Sequence, residues 1–119
     1  MPVLVREEAM IGTGFFPAGR EQAYHVTEDN LFLTGTAEVG LTAFHMGECS
    51  TRAQLPLKYT AVSTCFRREA GTYGKDTSGL YRVHQFDKVE QVVLCKNDVA
   101  ESNQWHMTCS ATANSCCRR

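Results

Sequence analysis

The chain of 119 residues lacks any apolar run long enough to cross a membrane, since a spanning helix needs ~20 consecutive apolar residues. Its N-terminus, MPVLVREEAM, carries acidic residues where a secretory signal would have an apolar segment. A charge excess is also missing, because the net charge is −1 and the pI is about 6.4. The chain therefore has no bulk basic surface for nucleic acid, and we expect a cytoplasmic protein with no membrane partner.

The sequence also lacks the cysteine spacing of a metal or disulfide framework. It has six cysteines, but the first three are far apart and the last three crowd into the C-terminus without a C-x-x-C pair. Its four histidines form no ligand spacing with them. Cys65 and Cys95 lie in apolar strand patterns, where cysteine behaves as a small hydrophobic residue. We therefore predict no metal site.

Internal repeats, heptads and proline-rich linkers are absent as well, which indicates a single domain with a modest core. Hydrophobic periodicity and turn residues divide the chain into short strands and helices. The predicted elements are a strand and a helix start in Met1–Met10, a loop over Ile11–Gln22, strands over Ala23–Val26 and Asn30–Thr34, a helix after Thr36 with Val39, Ala43 and Met46 on one face, a polar connection over Glu48–Leu55, long strands over Lys58–Glu69 and Tyr81–Leu94, and a helix from Glu101.

The two long strands carry the most informative pattern. Alternation places Arg67 and Glu69 on one face of the first strand, with Phe66 and Arg68 on the other. In the second strand one face carries the even positions, which are Arg82, His84, Phe86, Lys88 and Glu90, and the odd positions include Val83, Val89 and Val93. If the strands pair as a hairpin, one face presents arginines, an aromatic ring and carboxylates.

These residue types suit a nucleotide beside a small zwitterion. Arginine binds phosphate or carboxylate through paired hydrogen bonds. A phenylalanine on the same face can stack on a base, and glutamate accepts hydrogen bonds from ammonium or hydroxyl groups. The alternative interpretation is a solvated hairpin whose exposed face happens to be charged.

The segments LTGTAEVGL, FRREAG and RVHQFDKVEQ closely resemble the catalytic core of the seryl-tRNA synthetase family. PVLVREEAMIGTG resembles the segment that leaves the family's first signature motif, so the resemblance covers about Pro2 to His106. It implies an α+β fold, the class II synthetase catalytic domain with an antiparallel sheet flanked by helices, partial here, over residues 1–106. Residues 107–119 then form an aberrant tail.

The resemblance also implies an ATP site. Its residues would be Arg67, Arg68, Glu69, Arg82, Val83 and Phe86. Within this set Arg67 would bind the α-phosphate, Arg82 the outer phosphates, and Phe86 the adenine ring, while Val83 would contact the nucleotide through its backbone. Arg67 and Arg82 would be the catalytic residues, through charge stabilisation. No covalent nucleophile is expected.

The implied serine site consists of Thr36, Ala37 and Glu38, the family's TAE triplet, together with Arg67 and Glu90. Glu90 would bind the amino and hydroxyl groups of serine, and Arg67 its carboxylate. Taken alone, Thr36 could instead be the N-cap of the following helix, and Glu38 could be favoured there by the helix dipole.

Other charged residues have less specific interpretations. Arg68 and Lys88 read as ordinary surface charges, and His84 as a supporting residue behind the site. The loop GTYGKDTSG does not match a P-loop, since it has two residues where four are needed before the Gly-Lys pair. A mobile lid over ATP or the tRNA end fits it better.

The implied reaction is ATP-dependent activation of serine to seryl-adenylate and transfer of the seryl group to tRNA(Ser), with Mg²⁺ on the phosphates. The tRNA-binding helical arm, the helix of the first motif, which makes most of the homodimer interface, and the third motif are not found in the chain. We therefore expect the isolated chain to bind ATP weakly and not to aminoacylate tRNA.

The tail TCSATANSCCRR has no helical or strand period and no apolar stripe. With suitable codons, another reading frame would encode an amphipathic helix there, so we expect a frameshift. Two functions compete with the synthetase fragment: an amino acid:carrier-protein ligase on the same core, and a non-enzymatic ATP-binding remnant.

Overall fold

The computed structural model of the chain describes residues 1–70 and 82–117. These residues form two antiparallel sheets and three α-helices, which confirms the α+β class. None of the helices in this described part is long and apolar enough to cross a membrane. The loop glycines Gly71, Gly74 and Gly79, the proposed lid and Tyr81 lie outside the described residues.

The smaller sheet forms the N-terminal part of the protein. Its strands are β1 (Leu4–Arg6), β2 (His25–Val26) and β3 (Leu31–Leu33), in the order β1-β3-β2. Helix α1 (Glu7–Gly12) follows β1 directly, and the predicted loop that comes next holds a 3-10 turn over Arg20–Gln22. The buried hydrophobic cluster consists of Val5, Met10, Phe16, Ala23, Phe32 and Val39. The rings of Phe16 and Phe32 meet edge to face, with centroids 4.9 Å apart.

The second sheet is a hairpin of β4 (Leu57–Phe66) and β5 (Gln85–Leu94). The prediction of two long paired strands is confirmed, but both are shorter at the loop end than predicted. Glu69 has a φ of +51°, and this left-handed conformation is incompatible with a continuing strand. The Arg68 N–H leaves the ladder and donates to the Gln22 carbonyl, 2.9 Å away. The hairpin therefore ends against the N-terminal sheet.

Helix α2 (Glu38–Thr42) joins the two sheets and contacts both β4 and β5. It ends earlier than predicted and tightens into a 3-10 turn over Ala43–His45. Because of this change of period, Val39 is buried but Met46 is exposed, so the expected apolar stripe does not form. The connection that follows contains a 3-10 turn over Arg52–Gln54 and lies on the surface, as predicted.

Helix α3 (Val99–Cys117) runs through most of the tail. Asp98 caps it by accepting the Glu101 N–H at 2.8 Å, and the helix then runs through residues that show no apolar period. Each residue added to a nucleated helix gains a backbone hydrogen bond, but this helix lacks the packed apolar face from which most helices in proteins draw their stability. The helix buries no residue. The frameshift and the domain boundary at residue 106 stay predictions.

Candidate active site

The part of the charged hairpin face that lies near α2 is shielded from solvent. Cys65 pairs with Phe86, and Cys65 is fully buried. Phe86, Lys88 and Glu90 are all partly buried. The opposite face carries Val62, which is 66% exposed, and its partner Val89, which is 64% exposed. Phe86, Lys88 and Glu90 are therefore shielded from solvent, whereas Arg67, Arg82 and His84, which alternation assigns to the same face, are exposed.

Glu90 connects this face to the segment before α2. Thr36 Oγ1 donates to Glu90 Oε2 at 2.7 Å, a contact between residues 54 positions apart in sequence. The Lys88 ammonium lies 2.6 Å from the same oxygen. Lys88 is thus paired with the predicted serine-binding carboxylate, and its interpretation as an ordinary surface charge is wrong. The signal was present in the sequence, because residues two apart in a strand share a face.

Thr36 does not take the N-cap position of α2. Ala37 occupies it without a side-chain cap, and the Glu38 N–H approaches Thr36 Oγ1 only at 3.4 Å. Thr36 and Ala37 are buried, whereas Glu38 is exposed. The TAE triplet therefore offers one buried hydroxyl to Glu90, and the Glu38 side chain lies on the surface.

Several opposing effects set the ionisation of Glu90. Burial alone would raise its pKa, but hydrogen bonds from Lys88 and Thr36, together with the positive charges of Lys88 and Arg67, outweigh this effect. The net result is a pKa below the ordinary value for a glutamate. Glu90 is therefore a carboxylate at neutral pH and can accept hydrogen bonds from an ammonium group.

Arg67 connects the carboxylate region to the aromatic ring. Its Nε donates to the Gly35 carbonyl at 3.2 Å, and its Cζ lies 5.1 Å from the centroid of the Phe86 ring. A Cβ on Gly35 would lie 3.4 Å from Arg67 Cγ, so the glycine permits this close approach. The guanidinium is held between backbone and ring, and it remains exposed to an incoming anion.

A second ion pair lies at the loop end of the hairpin. Arg82 Nη1 donates to Glu69 Oε2 at 2.9 Å. Nearby, His84 Nδ1 lies 2.9 Å from Tyr24 Oη and 3.0 Å from the Arg67 carbonyl oxygen. His84 therefore supports the backbone at Arg67, in keeping with the supporting role expected for it.

A cavity of about 340 Å³ opens beside these groups, a size within the range of small-molecule sites. Its lining includes the predicted site residues Thr36, Arg67, Glu69 and Arg82. It is completed by Gly35 and Phe66, by Met10 of α1, and by the segment that follows α1, namely Phe15, Gly19, Gln22 and Ala23. The contribution of the N-terminal loop was missed, because that segment has no periodicity that would indicate a surface.

Two predicted ATP-binding residues, Arg68 and Val83, do not line this cavity. Arg68 is exposed, and its backbone N–H is bonded to Gln22. Val83 is exposed, so its proposed backbone contact to a nucleotide stays a prediction. The structure brings together Thr36 and Glu90, Arg67 and Phe86, and Glu69 and Arg82.

Comparison with known proteins identifies relatives of the whole arrangement. Residues 24–114 match the family model of the class II tRNA synthetase core domain (G, H, P, S and T). A serine–tRNA ligase of Rhodococcus jostii is 54% identical over 101 residues, which are 85% of this chain and 24% of that protein. One from Acidothermus cellulolyticus is 60% identical over 89 residues, 75% of this chain and 21% of that protein.

Solved structures give the same result. The seryl-tRNA synthetase of Pyrococcus horikoshii complexed with ATP aligns with a TM-score of 0.83 and 41% identity, over 98% of this chain and 26% of that one. The cytoplasmic serine–tRNA ligase of Naegleria fowleri in complex with AMP aligns with a TM-score of 0.74 and 37% identity, over 96% of this chain and 26% of that one. The chain thus spans about a quarter of the length of these relatives.

Proposed function

Since the chain belongs to the class II tRNA synthetase core family, with seryl-tRNA synthetases as its relatives, we propose that it supplies the serine- and ATP-binding part of a serine–tRNA ligase. The observation that carries this proposal is the 2.7 Å hydrogen bond between Thr36 and Glu90. It assembles a hydroxyl and a carboxylate beside Arg67 and Phe86. A small hydroxylated amino acid and an adenine nucleotide fit that combination.

The proposed chemistry begins at Arg67. Serine binds with its ammonium group on Glu90 and its carboxylate near Arg67, and adenine stacks on Phe86. A serine carboxylate oxygen attacks the α-phosphorus of ATP, the bond from this phosphorus to the oxygen bridging to the β-phosphorus breaks, and pyrophosphate leaves. Arg67 stabilises the charge that develops on the α-phosphate, and Arg82 binds the outer phosphates.

The second step needs the terminal ribose of tRNA(Ser). Its hydroxyl attacks the seryl carbonyl, and AMP leaves. We assign Mg²⁺ to the nucleotide, because Mg²⁺ commonly binds substrate phosphates together with one or two carboxylates. Serine, ATP, tRNA(Ser), a homodimeric full-length enzyme and a cytoplasmic location all belong to this proposal. Its support is the family membership together with the names of the relatives.

Ligand titration by NMR tests the binding part of the proposal on the 119-residue chain. We expect ATP to bind weakly and to perturb the resonances of Phe86 and Arg67. Phe86→Ala should weaken ATP binding by roughly tenfold, since stacking of a base on an aromatic ring is worth ~1–3 kcal/mol. Val89→Ala, on the opposite face of the same strand, is the matched control. Equal ATP affinity in the two variants would contradict the assigned adenine site.

Transfer assays separate the proposed function from its alternatives. We expect no aminoacylation of tRNA by the isolated chain, and serine-dependent charging by the pure protein would contradict that prediction. Transfer of serine to a carrier protein would indicate the ligase alternative. ATP binding without serine-dependent pyrophosphate exchange would favour the non-enzymatic remnant.

A further inference from the structure

Lys88 lies where the proposed substrate's ammonium group would be bound. Its Nζ is 2.6 Å from Glu90 Oε2, and Thr36 Oγ1 donates to that same oxygen at 2.7 Å. Within residues 1–70 and 82–117 no hydrogen bond to Oε1 of Glu90 is seen. An incoming ammonium group would therefore share the carboxylate with an ammonium that is already present.

The charges around Glu90 are unequal. Lys88 faces Glu90 from the same strand. Cys65 faces it from β4, and Arg67 faces it from the position that follows β4. Burial raises the pKa of the Cys65 thiol, so this group is neutral at neutral pH. Thr36, before α2, contributes an uncharged hydroxyl, and the Glu38 side chain is exposed. The positive charges of Lys88 and Arg67 thus outnumber the single negative charge of Glu90.

This balance has a direct consequence for ligand choice. A ligand that carries only an ammonium group would meet repulsion from Lys88 and Arg67 as it approached Glu90. A zwitterion brings a carboxylate that offsets this repulsion. Placing like charges together is a recognised way to reject a wrong ligand.

Resting on the serine site proposed above, we propose that Lys88 is a specificity-determining residue: by occupying Oε2 of Glu90 it makes the site select zwitterionic amino acids over simple amines of the same size and shape. Serinamide is the matched probe, because it keeps the hydroxyl and ammonium groups of serine and lacks the carboxylate charge. Lys88 acts through Glu90 and needs no contact with the reacting atoms.

The test compares the dissociation constants of L-serine and serinamide for the wild-type chain, Lys88→Gln and Lys88→Arg by NMR titration. The ratio of the serinamide constant to the serine constant should fall at least about tenfold in Lys88→Gln, because removal of a neighbouring like charge favours the cation. The ratio should be preserved in Lys88→Arg. A carbon-detected titration of the Glu90 carboxyl should show its pKa rising in Lys88→Gln, since the hydrogen bond and the positive charge of Lys88 are both lost.

The outcomes are distinguishable. An unchanged ratio in Lys88→Gln, with serine still bound by the wild-type chain, would overturn the role of Lys88 and leave the proposed serine site intact. Failure of the wild-type chain to bind either ligand would overturn the serine site itself, and the selective role with it. A ratio that also collapses in Lys88→Arg would show that side-chain shape rather than charge is responsible, which also overturns the inference.

Discussion

Most half-buried sheets turn apolar side chains toward the protein and charged ones toward solvent, but the β4–β5 hairpin does the reverse. The face toward α2 carries Lys88 and Glu90, together with the Phe86 ring, and all three are partly buried. The outward face carries Val62 and Val89 paired across the strands, both largely exposed. Helix α3 reaches the outward face near its far end, where Lys58 lies 4.7 Å from the centroid of the Trp105 ring.

The two faces of the hairpin differ in the interactions that hold their side chains in place. On the inward face, hydrogen bonds and ion pairs compensate the desolvation of charged groups, and they join residues from distant parts of the sequence. On the outward face, apolar side chains gain little, because little of their area is removed from water. Substitutions on the inward face should therefore change binding or stability, and those on the outward face should change neither.

The largest effect is expected at the inward carboxylate. Glu90→Gln keeps the shape of the side chain and removes the charge that we propose binds the ammonium group of serine. Serine affinity should fall roughly 10- to 150-fold, since hydrogen bonds to charged groups contribute about 1.5–3 kcal/mol. Titration calorimetry or NMR measures the change. Retention of wild-type affinity would contradict the assignment of Glu90 to the serine ammonium.

A smaller loss of ligand affinity is expected when the positive charge at position 67 is kept and only the geometry of the side chain is changed. Arg67→Lys loses the planar fork and the contact with the Phe86 ring, because lysine is a point charge on a flexible stem. ATP affinity should fall roughly tenfold, or about 1.4 kcal/mol. Arg68→Lys, at the neighbouring exposed position, is the control and should change little. Similar losses at the two positions would argue against a special role for Arg67.

Burial of the inward face can be tested through stability. Cys65 is fully buried beside Phe86, so Cys65→Ser replaces the sulfur that fills this buried position by a smaller and more polar hydroxyl group. The free energy of unfolding should fall by about 1–2 kcal/mol, as measured by urea denaturation. An unchanged unfolding midpoint would mean that this face is less packed than the structure indicates.

The smallest effect is expected on the outward face. Val62→Thr and Val89→Thr keep β-branched side chains and should each change the free energy of unfolding by less than about 0.5 kcal/mol. Urea denaturation of these variants beside Cys65→Ser gives the direct comparison of the two faces. A loss as large as that of Cys65→Ser would show that the outward valines are packed, and the contrast between the faces would disappear.

Much of the site could be predicted because strand alternation is a short-range rule. It assigned Phe86, Lys88 and Glu90 to one face, and the structure confirms that Phe86 and Glu90 share it with Arg67. The contact between Thr36 and Glu90 could not be derived from periodicity, since it joins residues far apart in sequence. The family resemblance placed both residues at the serine site before the structure brought them together.

Other features depended on local energetics that the pattern does not report. The strands stop short of Arg67 and Arg82, because the backbone turns at Glu69 and bonds to the N-terminal loop. Helix α3 continues through the tail without an apolar stripe, so its length could not be predicted from hydrophobic periodicity. The pairing of Lys88 with Glu90 was visible in the alternation but was interpreted as a solvated charge.

At Glu69 the left-handed backbone and the ion pair with Arg82 favour different residues. At a φ of +51°, glycine, asparagine and aspartate are the residues that adopt the conformation with least strain, while the ion pair with Arg82 requires a carboxylate. If substitutions at position 69 are ranked by the stability of the folded protein, glycine should therefore come first. The same substitutions ranked by retention of the ion pair should place it last. Position 69 is thus one at which a library selected for thermal stability and a library selected for retention of the ion pair with Arg82 would diverge.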